Sequence, residues 1–304
     1  METLMRNMFQ SLGKSRSANK LAKKYGLRFG AGRFVAGESI KQATDAVRQL
    51  NADGRVATLD HLGEFVFTEE EANESAEGCI RTLDAIHQSG VTSNMSLKMT
   101  SLGLDISKEL CMRNMKRILD RAKQYGNFVR IDMEDYAHCQ ISLDIYRELR
   151  QQYDNVGIVI QAYLYRTEQD IKDLNELKAN LRLVKGAYKE SAEVAFPEKK
   201  DVDENYKKII ALHLKNGNYT AVASHDPAII QFTKEFVKKE NIAKDQFEFQ
   251  MLYGICDEMQ KELAQEGYRV RVYVPYGIDW FGYFMRRLAE RPANVWFVLK
   301  NMFK

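Results

Sequence analysis

The chain has 304 residues, with 45 basic and 42 acidic side chains and a formal net charge of +3. That near balance gives no electrostatic case for nucleic acid as a partner, and 45% apolar with 29% charged residues suits a globular enzyme able to bury a large core. Cys79, Cys111, Cys139 and Cys256 form no C-x-x-C pair, so no zinc knuckle, other metal site or redox dithiol is indicated, and no run of about 18 apolar residues marks a membrane span.

Residues 1–50 read as an N-terminal helical arm, with helices at roughly 3–12, 16–25 and 38–50. The start carries no apolar signal-peptide core, so a cytoplasmic location is expected. Residues 51–304 read as one domain. From about residue 55, short β-branched or aromatic runs alternate with helical patterns. Strands are predicted at 56–62, 94–98, 128–132, 156–161, 181–185, 220–224, 247–252 and 270–274. Helices are predicted near 69–89, 108–125, 141–152, 168–178, 203–215, 227–239, 256–265 and 278–290. Thr68, Ser107, Thr167 and Asp226-Pro227 supply helix-start signals.

Eight strand-then-helix units are what a (β/α)8 TIM-like barrel needs. An open doubly wound sheet shows the same alternation and stands as the alternative. Barrel chemistry sits at the carboxyl ends of the strands. The polar residues there are His61 and Glu64, Lys98, Asp132 and Glu134, Gln161, Arg182 and Lys185, His225, Gln250 and Tyr273. After the eighth strand come Tyr283, Arg286, Arg287 and Glu290.

In GYFMRRLAERPAN, helical spacing puts Tyr283, Arg286, Arg287 and Glu290 on one broad face. Paired guanidinium forks suit a carboxylate or phosphate; the plainer account is a solvated face with an Arg–Glu ion pair. In LRLVKGAYKES, Arg182 and Lys185 interrupt an apolar strand, and a barrel interior holds few charges unless they are paired or serve a ligand. Gly186 and Ala187 let backbone approach a flat ligand and Tyr188 can cover a ring, while a lysine there can also simply snorkel to solvent. Lys98 could bind an anion or form a Schiff base, and for Lys98 and Asp132 alike the plainer account is a strand-end charge paired with a neighbour. His225 suits either a ligand or its own loop. GAGRFVAG has no preceding strand and the wrong spacing for a dinucleotide fingerprint. These residues by themselves describe a barrel enzyme with an anionic ligand.

RLVKGAY, FEFQMLYG, RVYVPYG and Y-x-x-RR-x-x-E, with LGE, SLK, IDMED, VIQAY and ASHD in order among them, resemble the proline dehydrogenase family of the monofunctional bacterial type over about residues 33–300. The resemblance implies a (β/α)8 barrel that binds FAD non-covalently. It implies oxidation of L-proline to Δ1-pyrroline-5-carboxylate by hydride transfer from C5 to the flavin N5, the first step of proline catabolism. By resemblance, Arg182 meets the N5 region, Val184, Lys185, Gly186, Ala187 and Tyr188 line the flavin, Gln161 binds its edge, and His225, Gln250 and Glu290 complete the cofactor set. Lys98, Arg286 and Arg287 match the cations that hold the proline carboxylate. Leu252, Tyr273 and Tyr283 would pack on the ring, Asp132 would support them, and Glu64 matches an acid that can pair with Arg286 and gate the site. A tyrosine at 273 implies preference for proline over 4-hydroxyproline.

Lys189 stands where bifunctional relatives carry tryptophan. No aldehyde dehydrogenase half follows, so a separate pyrroline-5-carboxylate dehydrogenase is expected downstream. The resemblance further implies a membrane quinone as electron acceptor and peripheral contact with the inner face of a membrane. The basic residues Arg6, Lys14, Arg16, Lys20, Lys23 and Lys24 could serve that contact if they lie on an amphipathic helix, but a solubilising terminus is the preferred account. The competing activity is a lyase or aldolase barrel using Lys98 or Lys185 as a Schiff base.

Overall fold

The computed structural model describes residues 31–63 and 66–290. The expected helices at 3–12 and 16–25 lie outside the described residues. The eight apolar runs form β1 (Val56–His61), β2 (Ser93–Leu97), β3 (Val129–Ile131), β4 (Val156–Gln161), β5 (Leu181–Val184), β6 (Thr220–Ala223), β7 (Phe247–Leu252) and β8 (Val270–Tyr276). They pair in parallel in chain order, and β8 pairs back onto β1, with Leu59 opposite Val274. Closure removes both sheet edges, so the open-sheet alternative is excluded.

Among the described residues the helices are α1 (Ile40–Ala52), α2 (Glu69–Ser89), α3 (Lys108–Gln124), α4 (Tyr136–Arg150), α5 (Thr167–Glu176), α6 (Lys199–Lys215), α7 (Pro227–Lys239), α8 (Asp257–Gln265) and α9 (Trp280–Glu290). Thr68 and Glu71 form a reciprocal capping box at α2, Ser107 caps α3, and Asp226 caps α7 ahead of Pro227. Thr167 is not a cap. It is the first residue of α5, behind Arg166, and its hydroxyl donates to the Gln161 carbonyl at 2.5 Å. Helix α4 begins five residues before the expected 141 because Asp135 caps it, accepting from the His138 backbone N–H. Helix α6 likewise starts four residues before the expected 203, on the charged turn at Lys199.

Each strand sends one set of side chains outward and the alternate set inward. Outward residues such as Leu59, Val272 and Val274 pack under α1 against Ala43, Val47 and Leu50, all buried. Beneath α3 and α4, Met95, Val129 and Ile131 do the same against Met115, Ile118 and Leu143. Burial of this shell is what stabilises the barrel, at roughly 25 cal/mol per Å² of apolar surface. The inward set is polar. Register places Asp60 beside Ser96, Ser96 beside Arg130, Arg182 beside Ala221, and Gln250 beside Arg271.

Candidate active site

Arg182 projects from the middle of β5 into the barrel and is 5% exposed. All three guanidinium nitrogens are engaged. Nε donates to Gln250 Oε1 at 2.5 Å, Nη1 to Asp132 Oδ1 at 2.6 Å, and Nη2 to Ser96 Oγ at 2.9 Å. The Tyr273 ring lies 5.3 Å from the guanidinium carbon. Four strands therefore fix one arginine, and the planar fork is what allows three acceptors in different directions.

Tyr273 Oη sits 2.6 Å from Asp60 Oδ2 and 2.7 Å from Asp132 Oδ2. Burial, then Asp132 and Asp60, push the phenol well above its ordinary range, so it stays protonated. A single hydroxyl proton cannot serve two carboxylates, and cations complete the balance. Lys98 Nζ lies 3.5 Å from Asp60 and 3.7 Å from Asp132. Burial works against its charge, but the two aspartates outweigh burial and raise its pKa above the ordinary lysine range. Arg286 opposes the Lys98 charge. Two cations converging at the mouth make a seat for an anion.

Helix α9 crosses this mouth. Tyr283 is buried there, in a cluster with Phe34, Leu62, Ile255 and Phe284 against which Leu252 and Tyr273 also pack. Arg287 is 9% exposed and lies over the Tyr283 ring, 5.0 Å from its centroid. The expected face of α9 is thus formed by Tyr283 and Arg287, with Arg286 half-buried beside it. Glu64 and the side chain of Glu290 lie outside the described residues.

The remaining expected residues divide. Gln250 and Gln161 are buried, and Gln161 Nε2 donates to the Glu134 carbonyl at 2.9 Å. His225 Nε2 accepts the Leu252 backbone N–H at 2.9 Å, so that nitrogen carries no proton. Gly186 has φ +113°, and a Cβ there would stand 2.3 Å from the Tyr163 ring, so only glycine fits. The Val184 carbonyl accepts from Ala162 N at 2.7 Å, Ala187 is exposed and Tyr188 half-buried. Lys185 turns away from the barrel axis at the rim: Nζ donates to Asp203 of α6 and, at 2.9 Å, to Asp226. An amine held in that ion-pair cluster, and a Lys98 held charged, both disfavour the Schiff-base alternative, which needs a free amine. His61 also faces away, its ring 5.2 Å from Tyr276 and filling the space beside Gly78 of α2.

Asp60, Ser96 and Glu248 are the site residues that a survey of strand ends misses. Glu248 Oε1 accepts from Gln250 Nε2 and from Arg271 Nε at 2.7 Å, and so fixes the glutamine that holds Arg182. Asp60 and Ser96 lie one residue before their strand ends and Glu248 lies four before its own, and the signal for all three is alternation rather than position.

Beside the mouth, His138 bridges Asp135 at 2.5 Å and Asp105 at 2.7 Å, tying α4 to the loop after β2. Burial opposes its charge, but the hydrogen bonds to Asp105 and Asp135 outweigh it and push the imidazole up to about 9. A raised folded pKa stabilises fully below the ordinary 6.5 and is lost as pH rises through about 9. We expect the thermal midpoint of the wild type to fall across that window relative to His138→Gln. Parallel curves for the two proteins would show the bridge to be inert.

The proline dehydrogenase family model matches residues 43–300. The chain is 55% identical over 301 residues to proline dehydrogenase 1 of Bacillus subtilis (strain 168), covering 99% of this chain and 100% of that one. It is 48% identical over 279 residues to the proline dehydrogenase of Deinococcus radiodurans, covering 90% of each. Among solved structures it superposes with TM-score 0.81 and 29% identity on proline utilization A (PutA) from Bdellovibrio bacteriovorus inactivated by N-propargylglycine. That match covers 86% of this chain and 32% of the PutA chain, so this chain spans about a third of that larger protein.

Proposed function

Because the chain belongs to the proline dehydrogenase family, we propose that it binds FAD non-covalently at the carboxyl-terminal mouth and oxidises L-proline to Δ1-pyrroline-5-carboxylate. The observation that carries this reading is the fixed, buried Arg182 with Lys98 and the α9 arginines gathered at the same mouth. The residues suit a flavin. Gly186 and Ala187 present backbone with no side chain beyond a methyl, and Arg182 offers a rigid positive charge to a ring system that becomes more negative on reduction. Val184, Lys185, Tyr188, Gln161, His225 and Gln250 would complete the cofactor contacts, with Lys185 steadied by Asp203 and Asp226.

A bound FAD would supply the two-electron acceptor for a hydride from proline C5. The protein's part is placement. Lys98, Arg286 and Arg287 hold the substrate carboxylate, and ionic binding at that end orients the opposite end of the ring. Tyr273, Tyr283 and Leu252 exclude water from the ring faces. Tyr273 is pinned by its hydroxyl between two aspartates, so it cannot swing aside for a substituent on C4, which favours proline over 4-hydroxyproline. Asp132 and Asp60 keep Lys98 charged, and Asp132 holds Arg182 in place.

We further propose a quinone as the electron acceptor and a separate dehydrogenase for the product. No helix among the described residues is long and apolar enough to cross a membrane, so such a quinone would be met at a membrane surface. The first test is an absorption spectrum of the holoprotein before and after anaerobic L-proline. Flavin absorbance that bleaches with proline is the expected result. A colourless protein that takes up no FAD would overturn the flavin reading, and a yellow one that proline leaves unbleached would overturn the substrate.

A further inference from the structure

The amino-terminal end of the barrel, opposite the proposed chemistry, holds a cavity of about 490 Å³ lined by Asn94, Arg130, Glu248, Arg269 and Arg271 among others. Arg269 is exposed at its rim, Arg271 is half-buried, and Arg130 is 2% exposed at its inner end. Three positive charges face one negative charge, a balance of +3 − 1 = +2.

Glu248 lends the innermost arginine some favourable charge but makes no direct pair with it. Its oxygens already accept from Arg271, from Gln250, and from Tyr219 Oη at 2.9 Å. Arg130 has only neutral partners: Nη1 donates to the Ile158 and Asn180 carbonyls, at 3.2 and 2.6 Å, and Nη2 to Asn180 Oδ1. No carboxylate pairs with Arg130 among the described residues, and its Nε is buried with no acceptor. Burial first, then Arg182, lower its pKa to about 9. Asn94 Oδ1, in the same lining, is buried with no donor.

The seat is built rather than incidental. Gly157 in β4 makes room for it, since a Cβ there would stand 2.4 Å from Arg130 Nη1 and 2.5 Å from the Asn180 carbonyl. A glycine inside a strand weakens it, and a buried charge without a counter-ion is costlier still. Both costs are offset if a ligand enters.

We propose that this amino-terminal mouth is a second binding site, for a small oxyanion that also carries an O–H or N–H donor, such as hydrogen phosphate or a small hydroxycarboxylate. The oxyanion meets Arg130 Nε and the outer arginines; the donor meets Asn94 Oδ1. The test is calorimetric titration of the holoenzyme at constant ionic strength, with inorganic phosphate in one arm and glycolate in the other. One saturable site is expected for at least one probe. Arg269→Ala, at an exposed residue that cannot unfold the barrel, should weaken it about tenfold, the size of one charge-assisted contact. Arg286→Ala, at the opposite mouth, should leave it unchanged. Flat titrations with both probes overturn the proposal. So does binding that Arg286→Ala abolishes and Arg269→Ala spares, because the anion then sits in the substrate clamp.

Discussion

Replacing Arg182 with methionine is expected to lower proline turnover by about 10²–10³-fold, the range seen when one fixed donor to developing negative charge is removed. The same change should also destabilise the fold, by up to roughly 3 kcal/mol, because the largely buried Asp132 loses its closest cation and keeps only Lys98. Both effects follow from one geometry. Asp132, Gln250 and Ser96 each spend an acceptor on the guanidinium, and methionine returns none of those bonds. Arg182→Lys separates the two. Lysine restores a charge near Asp132 but is a point donor that cannot reach three acceptors on three strands. Stability should therefore recover in large part while turnover stays low. Circular dichroism melts and initial rates on the same preparations give the comparison. Turnover by Arg182→Met within tenfold of wild type would remove Arg182 from the proposed chemistry and leave it a packing residue.

The barrel was legible because eight short apolar runs and eight helical patterns alternate without a break, and no other closed architecture needs that count. The strands lie within a few residues of the bounds that their apolar runs predict. The inward-facing network was not, although its signal is present. NMSLK, FEFQM and VRVYV place a polar residue at every second position of an apolar run, and VATLDH, FVRID and LRLV carry Thr58 and Asp60, Arg130 and Asp132, and Arg182 on the same alternation. In a barrel buried outside by helices, those alternate positions face the axis, so Asp60, Ser96 and Glu248 belong to the same layers as Lys98, Arg130, Arg182 and Gln250. Reading only the last residue of each strand finds the rim and misses what holds it. Where Lys185 goes was not readable. A lysine at the end of β5 can turn inward or outward, and the choice is made by Asp203 and Asp226, which lie 18 and 41 residues further along the chain.

Lys98→Met should raise KM for proline by about 10²-fold with a smaller loss in kcat, and the reason is a charge count. Lys98 and Arg182 stand against Asp60 and Asp132, so +2 − 2 = 0 within the network. Without Lys98 the balance becomes +1 − 2 = −1, directly beneath the place where the substrate carboxylate is proposed to bind. Truncating one member of a desolvated charge pair commonly costs 2–5 kcal/mol in affinity, which brackets the expected change. Because the carboxylates hold the Lys98 pKa above its ordinary range, its contribution is complete below about pH 10, the ordinary lysine value. It is lost only as pH rises beyond that, so Lys98 should impose no pH dependence on KM under neutral conditions. The decisive comparison is the double variant Asp60→Asn with Lys98→Met. It restores neutrality, +1 − 1 = 0, without restoring the amine. Recovery of a substantial part of the lost affinity would show non-additivity of the kind a charge balance requires. If the two losses simply add, Lys98 acts through direct contact with the carboxylate, and the balance with Asp60 has no bearing on substrate binding.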